Sequence, residues 1–202
     1  LNNYHGDTLG AVGVAPDPLF HWPFLDLLPG HPRVPYPYPH DRLAESLEAV
    51  EDVLRTRRDE LAAVIVEPVE GAGGILPAPP GFLRELRALC DRYDVLLIVD
   101  EVATGFGRTG RLFACEADGI TPDLLCLGKG LTGGYLPLAA TLTTERVFEA
   151  FLGEIEERKT FFHGHSYTGN PLGCAVALAS LELLLERLPA LPAKVERLRA
   201  GL

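Results

Sequence analysis

The chain has 202 residues, 47% hydrophobic and 23% charged, enough apolar material for one large α/β domain or most of one. Its formal net charge of −10 argues against a nucleic-acid or anionic-membrane partner, since either calls for a basic face. No stretch approaches the roughly 20 apolar residues that span a bilayer and no charged-then-apolar leader opens the chain, so it reads as soluble and cytoplasmic.

The predicted elements begin after a loop signal at Tyr4-His5-Gly6. Residues 16–39 carry eight prolines among aromatics, which predicts neither helix nor central strand. They read as an ordered connection packed through Phe20, Trp22, Phe24, Tyr36 and Tyr38. Leu43, Leu47, Val50 and Leu54 recur at helical spacing and predict a helix over 41–58. "LAAVIVEP" at 61–68 is an apolar, β-branched strand ending in Glu67-Pro68, and a glycine-rich loop leads to a second amphipathic helix over 81–93. "VLLIVDE" at 95–101 is a near-continuous apolar strand ending in Asp100-Glu101. Past the loop "TGFGRTG" at 104–110, the strand "DLLCLGK" at 123–129 ends at Lys129. A strand over 137–144, a helix near 144–157, a loop at 161–169 and a long helix complete the chain. The last opens on Asn170-Pro171, an N-cap with proline at the first helical position.

Apolar strands alternating with amphipathic helices predict an α/β fold with a mostly parallel sheet covered on both faces. Ligands of such sheets sit beyond the carboxyl ends of the strands, where Glu67, Asp100 and Lys129 fall. The cysteines Cys90, Cys115, Cys126 and Cys174 are widely spaced and read as small buried hydrophobes rather than a zinc knuckle or disulfide framework. The absence of methionine, with Leu202 falling inside a helical pattern, reads as part of a longer chain.

Several chemistries compete for that rim. A phosphate-binding P-loop would explain "LLIVDE" as a magnesium-holding strand, but the required G-x-x-x-x-G-K-[ST] fails at Asp123 and at Gly130. Gly105, Gly107 and Gly110 spell G-x-G-x-x-G, yet "DEVAT" intervenes after the apolar run and only "RLFACEAD" follows before Gly119 and Pro122, where the fingerprint should open a helix. Pyridoxal phosphate needs a lysine amine to condense with its aldehyde and a carboxylate to keep its pyridine nitrogen protonated, and Lys129 with Asp100 supplies both. On periodicity alone, an ion pair or two solvated charges explain the same residues equally well.

The blocks "YHGDTLG" (4–10), "VIVEPVEGAGG" (64–74), "LLIVDEVATGFGRTG" (96–110), "DLLCLGKGLTGG" (123–134) and "HGHSYTGNPLGCAVALASLELL" (163–184) resemble the class III (ω-type) aminotransferases of PLP fold type I. That resemblance implies a three-layer α/β/α large domain over 1–188, lacking its N-terminal part, and over 189–202 the start of a connection to a C-terminal small domain. It implies pyridoxal phosphate as cofactor, joined to Lys129, with Asp100 at the pyridine nitrogen, Val102 on one ring face and Tyr4 on the other. Ser166 and His165 lie in the loop that reaches the phosphate bound by a neighbouring subunit, so a homodimer with shared sites is implied. Tyr4 and Gly164 fall on the substrate side, and Glu67 matches a supporting glutamate. "YHGDT", Ala103 and "LTGG...LAATLTT" are similar to the branch that aminates 8-amino-7-oxononanoate in biotin synthesis, usually with S-adenosylmethionine as donor. "EPVEGAGG" is one residue shorter than that branch's usual motif, and ornithine, acetylornithine or diamine aminotransferases are the alternative. His163 and His165 form an H-x-H without a third ligand at useful spacing, so no metal is expected. His5 either positions Tyr4 or caps its loop, and Arg108 anchors the glycine loop.

Overall fold

A computed structural model describes residues 3–201. The chain packs as two compact units, one running to Asp100 with Ala117–Ile120 added, the other made of Glu101–Glu116 and the residues from Thr121 onward.

The first unit opens with α1 (Leu9–Val14), capped by Thr8, and α2 (Pro18–His21), capped by Asp17, whose Oδ1 accepts the Leu19 N–H at 2.8 Å. A 3-10 turn over Trp22–Leu27 comes next. Helical structure inside the proline-rich stretch departs from the expectation for 16–39. Pro18 and Pro23 each sit in the first turn of their element, where the missing N–H has no helical partner to lose. The aromatics also depart from it. Tyr36 is buried, its hydroxyl donating to the Pro68 carbonyl at 2.9 Å, whereas Trp22 remains 72% exposed and Phe20 nearly as much.

α3 (Leu43–Thr56) buries Val50 and Leu54, and α4 (Phe82–Arg92) buries Phe82, Leu86, Leu89 and Cys90. Each fully buried side chain of this size contributes about 1.5–3 kcal/mol. α4 begins at Gly81, in the left-handed region, and its first amides are satisfied by Asp118, which accepts from Gly81 N and Leu83 N at 2.9 Å each. The strands are β1 (Ala63–Val66), the short antiparallel hairpin β2 (Val69–Glu70) with β3 (Leu76–Pro77), and β4 (Leu96–Asp100). β1 and β4 pair in parallel, Ala63 opposite Leu96 and Val66 opposite Val99.

In the second unit β5 (Leu124–Leu127) pairs with β6 (Ala140–Thr143), and the pair is antiparallel. The connection explains the reversal. Residues 128–139 hold no α-helix, only a 3-10 turn at Lys129–Thr132 followed by two left-handed glycines, Gly133 and Gly134, which turn the chain back instead of carrying it across the sheet as a parallel crossover helix does. The helix expected near 144–157 stops early, as α5 (Glu145–Glu149). A separate 3-10 turn at Ile155–Glu157 carries its own capping box between Glu154 and Glu157 and so starts afresh. α6 (Pro171–Arg187) is capped by Asn170, whose Oδ1 accepts the Gly173 N–H at 2.7 Å, and α7 (Leu191–Ala200) comes after it. Leu202, where the sequence pattern is still helical, lies outside the described residues. Cys90 and Cys115 are buried as expected, but Cys126 is half-buried and Cys174 is exposed on α6. Among the described residues no helix is long and apolar enough to cross a membrane.

Candidate active site

Because β1 and β4 are parallel and in register, the residues at their carboxyl ends, Glu67 and Asp100, fall side by side. Both are buried, at 5% and 6% exposure. The segment Asn3-Tyr4-His5 meets them there. The Tyr4 N–H donates to Glu67 Oε2 at 2.9 Å, and the Glu67 N–H donates to Asn3 Oδ1 at 2.9 Å. His5 Nδ1 lies 2.7 Å from Asp100 Oδ2, with the imidazole only 4% exposed. An ionised carboxylate can only accept, so Nδ1 carries the hydrogen of this bond. His5 Nε2 and Asn3 Nδ2 are buried without a hydrogen-bond partner. Burial pushes the Glu67 carboxyl above its usual range and the Asp100 charge acts the same way, against the Tyr4 amide and the His5 charge. Tyr4 is 41% exposed.

The second unit places the remaining candidates. Glu101 is wholly buried, accepting from Ala114 N (2.7 Å) and the Thr104 hydroxyl (3.0 Å) at Oε2 and from Cys115 N (2.8 Å) at Oε1. It thereby ties both ends of the glycine loop together. Burial first, and then the Glu101 charge, push the Cys115 thiol up to about 12. Within that loop Gly105 is obligatory, since a Cβ there would lie 2.9 Å from the Glu101 carbonyl oxygen. Val102 faces the backbone at Gly128, where a Cβ would stand 3.4 Å from Val102 Cγ1. Gly130 leaves room for Phe106, whose Cβ would be 3.0 Å from an added methyl.

Between these glycines Lys129 has φ 41°, a left-handed backbone that a lysine adopts only under constraint. It is exposed, on a cleft of about 550 Å³ lined also by Phe106, Arg108, Ser180 and Arg187. Arg108 is therefore at a cleft wall as well as in the glycine loop. Gly164, His165 and Ser166 lie in an exposed loop shaped by its own bonds, His165 N to the Thr168 hydroxyl at 3.0 Å and Tyr167 N to His165 Nδ1 at 3.1 Å. His163 stacks on Phe161 at 5.3 Å.

Tyr4, Glu67 and Asp100 are thus brought together in the first unit, and Val102 is brought to the backbone beside Lys129 in the second. Sequence reasoning missed Asn3, and it did not assign His5 to Asp100, 95 positions away. No periodicity or spacing signals such a pair, because it is made by tertiary placement of a loop on a strand end. The residues fit pyridoxal phosphate: a buried carboxylate already oriented by an imidazole suits a protonated ring nitrogen, and an exposed lysine flanked by glycines suits a covalent link.

The family model described as aminotransferase class-III matches residues 1–202. The chain is 51% identical to the adenosylmethionine-8-amino-7-oxononanoate aminotransferase of Aquifex aeolicus, over 98% of this chain and 47% of that protein. It is 54% identical to the protein of the same name from Geobacter sulfurreducens, over 92% and 45%. Among solved structures, the enzyme of that name from Methanocaldococcus jannaschii superposes with a TM-score of 0.88 at 43% identity, covering 96% of this chain and 45% of that one. A PLP-bound amine transaminase from an uncultivated Pseudomonas species gives 0.86 at 36% identity, covering 92% and 44%. The chain spans about half the length of these relatives, and its fold is the α/β fold of PLP fold type I.

Proposed function

This chain belongs to the class-III aminotransferases, and on that premise we propose that the protein transfers an amino group to 8-amino-7-oxononanoate, giving 7,8-diaminononanoate for biotin synthesis, with S-adenosylmethionine as donor. Identity of 51% and 54% to relatives bearing that enzyme's name supports the substrate. The observation that carries the chemistry is the buried Asp100–His5 pair at the end of β4.

Pyridoxal phosphate, the cofactor of this family, supplies when bound an electron sink for a carbon that has lost a proton. Asp100 would hold the proton on the ring nitrogen, with His5 orienting the carboxylate. Lys129 would hold the cofactor covalently, and its Nζ would serve as base and then acid for the proton that moves. Val102 and Tyr4 would pack against the ring, Glu67 supports Tyr4 through its amide, and Tyr4 with Gly164 would border the substrate. Ser166 and His165 reach the phosphate held by a second copy, so the active form is a homodimer, in the cytoplasm. Residues 1–188 belong to the cofactor-binding large domain, and 189–202 lead toward a small domain.

The test uses the full-length protein. Borohydride reduction after incubation with pyridoxal phosphate should fix the cofactor to Lys129, read by peptide mass, and Lys129→Ala should lose both the visible absorbance and turnover. Retained turnover in that variant would refute the assignment. Assays of 8-amino-7-oxononanoate with S-adenosylmethionine and with lysine decide the donor, and no product with either assigns the protein to another ω-aminotransferase.

A further inference from the structure

We propose that Asn3 and Glu67 form a reciprocal latch that positions the Tyr4-His5 segment on the carboxyl end of β1, and through it sets the His5–Asp100 contact. The proposal rests on the reading of Asp100 as the partner of the ring nitrogen, and it adds Asn3 to the site and gives Glu67 a defined role. The two bonds are crossed: the side chain of residue 3 takes the amide of residue 67, and the side chain of residue 67 takes the amide of residue 4. Each residue is thus both anchor and anchored, which fixes the position and the direction of the segment together.

The latch matters because His5 cannot hold itself. Its ring has one hydrogen bond, through Nδ1 to Asp100, while Nε2 is buried and unpartnered. The buried ring is confined by packing, but a single hydrogen bond leaves its position set mainly by the backbone that carries it. That backbone is tied at the two residues just before it. Asn3 and Glu67 are 5% exposed each, so water cannot easily replace either bond. Asn3 and Glu67 are positioning residues: they fix the Tyr4-His5 segment, and Asn3, which carries no charge, acts on Asp100 through that segment, whereas the Glu67 carboxyl also meets Asp100 electrostatically.

The full-length protein is compared with Glu67→Ala, Glu67→Gln and Asn3→Ala by two measurements. The first is hydrogen exchange of the peptide spanning 3–8 without cofactor. Loss of the acceptor in Glu67→Ala should speed exchange there about tenfold, while Glu67→Gln, which keeps an oxygen for the Tyr4 amide, should stay within about threefold of the parent. The second is the pH titration of the cofactor's visible absorbance. Asn3→Ala, which changes no charge, should move its midpoint, because the charge facing the ring nitrogen is set by how His5 meets Asp100; Glu67→Ala should move it too, and Glu67→Gln, which loses the same carboxyl but keeps an acceptor for the Tyr4 amide, should lie closer to the parent than Glu67→Ala. Unchanged exchange in Glu67→Ala, or a Gln variant that behaves like Ala, overturns the latch. Faster exchange with an unmoved midpoint overturns its link to Asp100. A parent protein that takes up no pyridoxal phosphate overturns the cofactor reading instead, and the exchange data still decide the latch.

Discussion

Replacing Glu101 by Gln tests how the glycine loop is held. The carboxylate, fully buried, accepts three hydrogen bonds, two at Oε2 and one at Oε1. A glutamine has one oxygen. If that oxygen serves Ala114 and Thr104, the new NH2 group faces the Cys115 N–H, and a buried donor is left opposite a donor. One unsatisfied buried N–H costs about 1–3 kcal/mol, and exchanging a charged acceptor for a neutral one weakens each remaining bond by about 1 kcal/mol. The total is about 3–5 kcal/mol against local opening, equivalent to roughly 100- to 4000-fold. Hydrogen exchange of the peptide covering 102–116 in the full-length protein should speed up by that factor. The Cys115 thiol, pushed up to about 12 partly by the Glu101 charge, should come down in the same variant and alkylate faster at alkaline pH. Exchange within about threefold of the parent, with an unchanged Cys115, would refute the claim that Glu101 is the loop's anchor.

Asp118→Ala removes the acceptor of the Gly81 and Leu83 amides, and should cost about 1–2 kcal/mol, read as faster exchange in the first turn of α4; a silent variant would mean that water caps the helix as well. Stability should also depend on pH through the β1–β2 carboxyls. Burial raises Glu67 and Glu70 above their ordinary value of 4.5, so the folded chain holds protons that the unfolded chain has released. Their contribution is complete below about 4.5 and is lost as pH rises through the raised values. Glu70→Gln should therefore flatten the fall of the melting temperature above that pH, and identical slopes in variant and parent would count against it.

Much of the candidate site was legible because the residue type at a strand end is read directly from the sequence. Continuous apolar runs place β1, β4 and β5 within one or two residues, and the charged residue at the end of each run, Glu67, Asp100 or Lys129, is then a rim residue by counting alone. Helix 81–93 was equally plain, since Phe82, Leu86 and Leu89 share one face and bury there. Local rules failed where several weak preferences compete. Pro18 and Pro23 look like breakers but are compatible with first turns, and the stretch near 144–157 has helical composition yet restarts at Glu154.

The sequence by itself determined the candidate residues and the strands that end beside them, because hydrophobic period and glycine placement are local properties. Only the tertiary structure decided how they are held. Tying Asn3 to Glu67, His5 to Asp100 and Glu101 to Cys115 requires segments distant in sequence to meet within hydrogen-bond range, and nothing in either segment's own pattern specifies the other. The left-handed backbone at Lys129 is of the same kind: a lysine has no intrinsic preference for it, and the short reversal between β5 and β6, with glycines on both sides, imposes it.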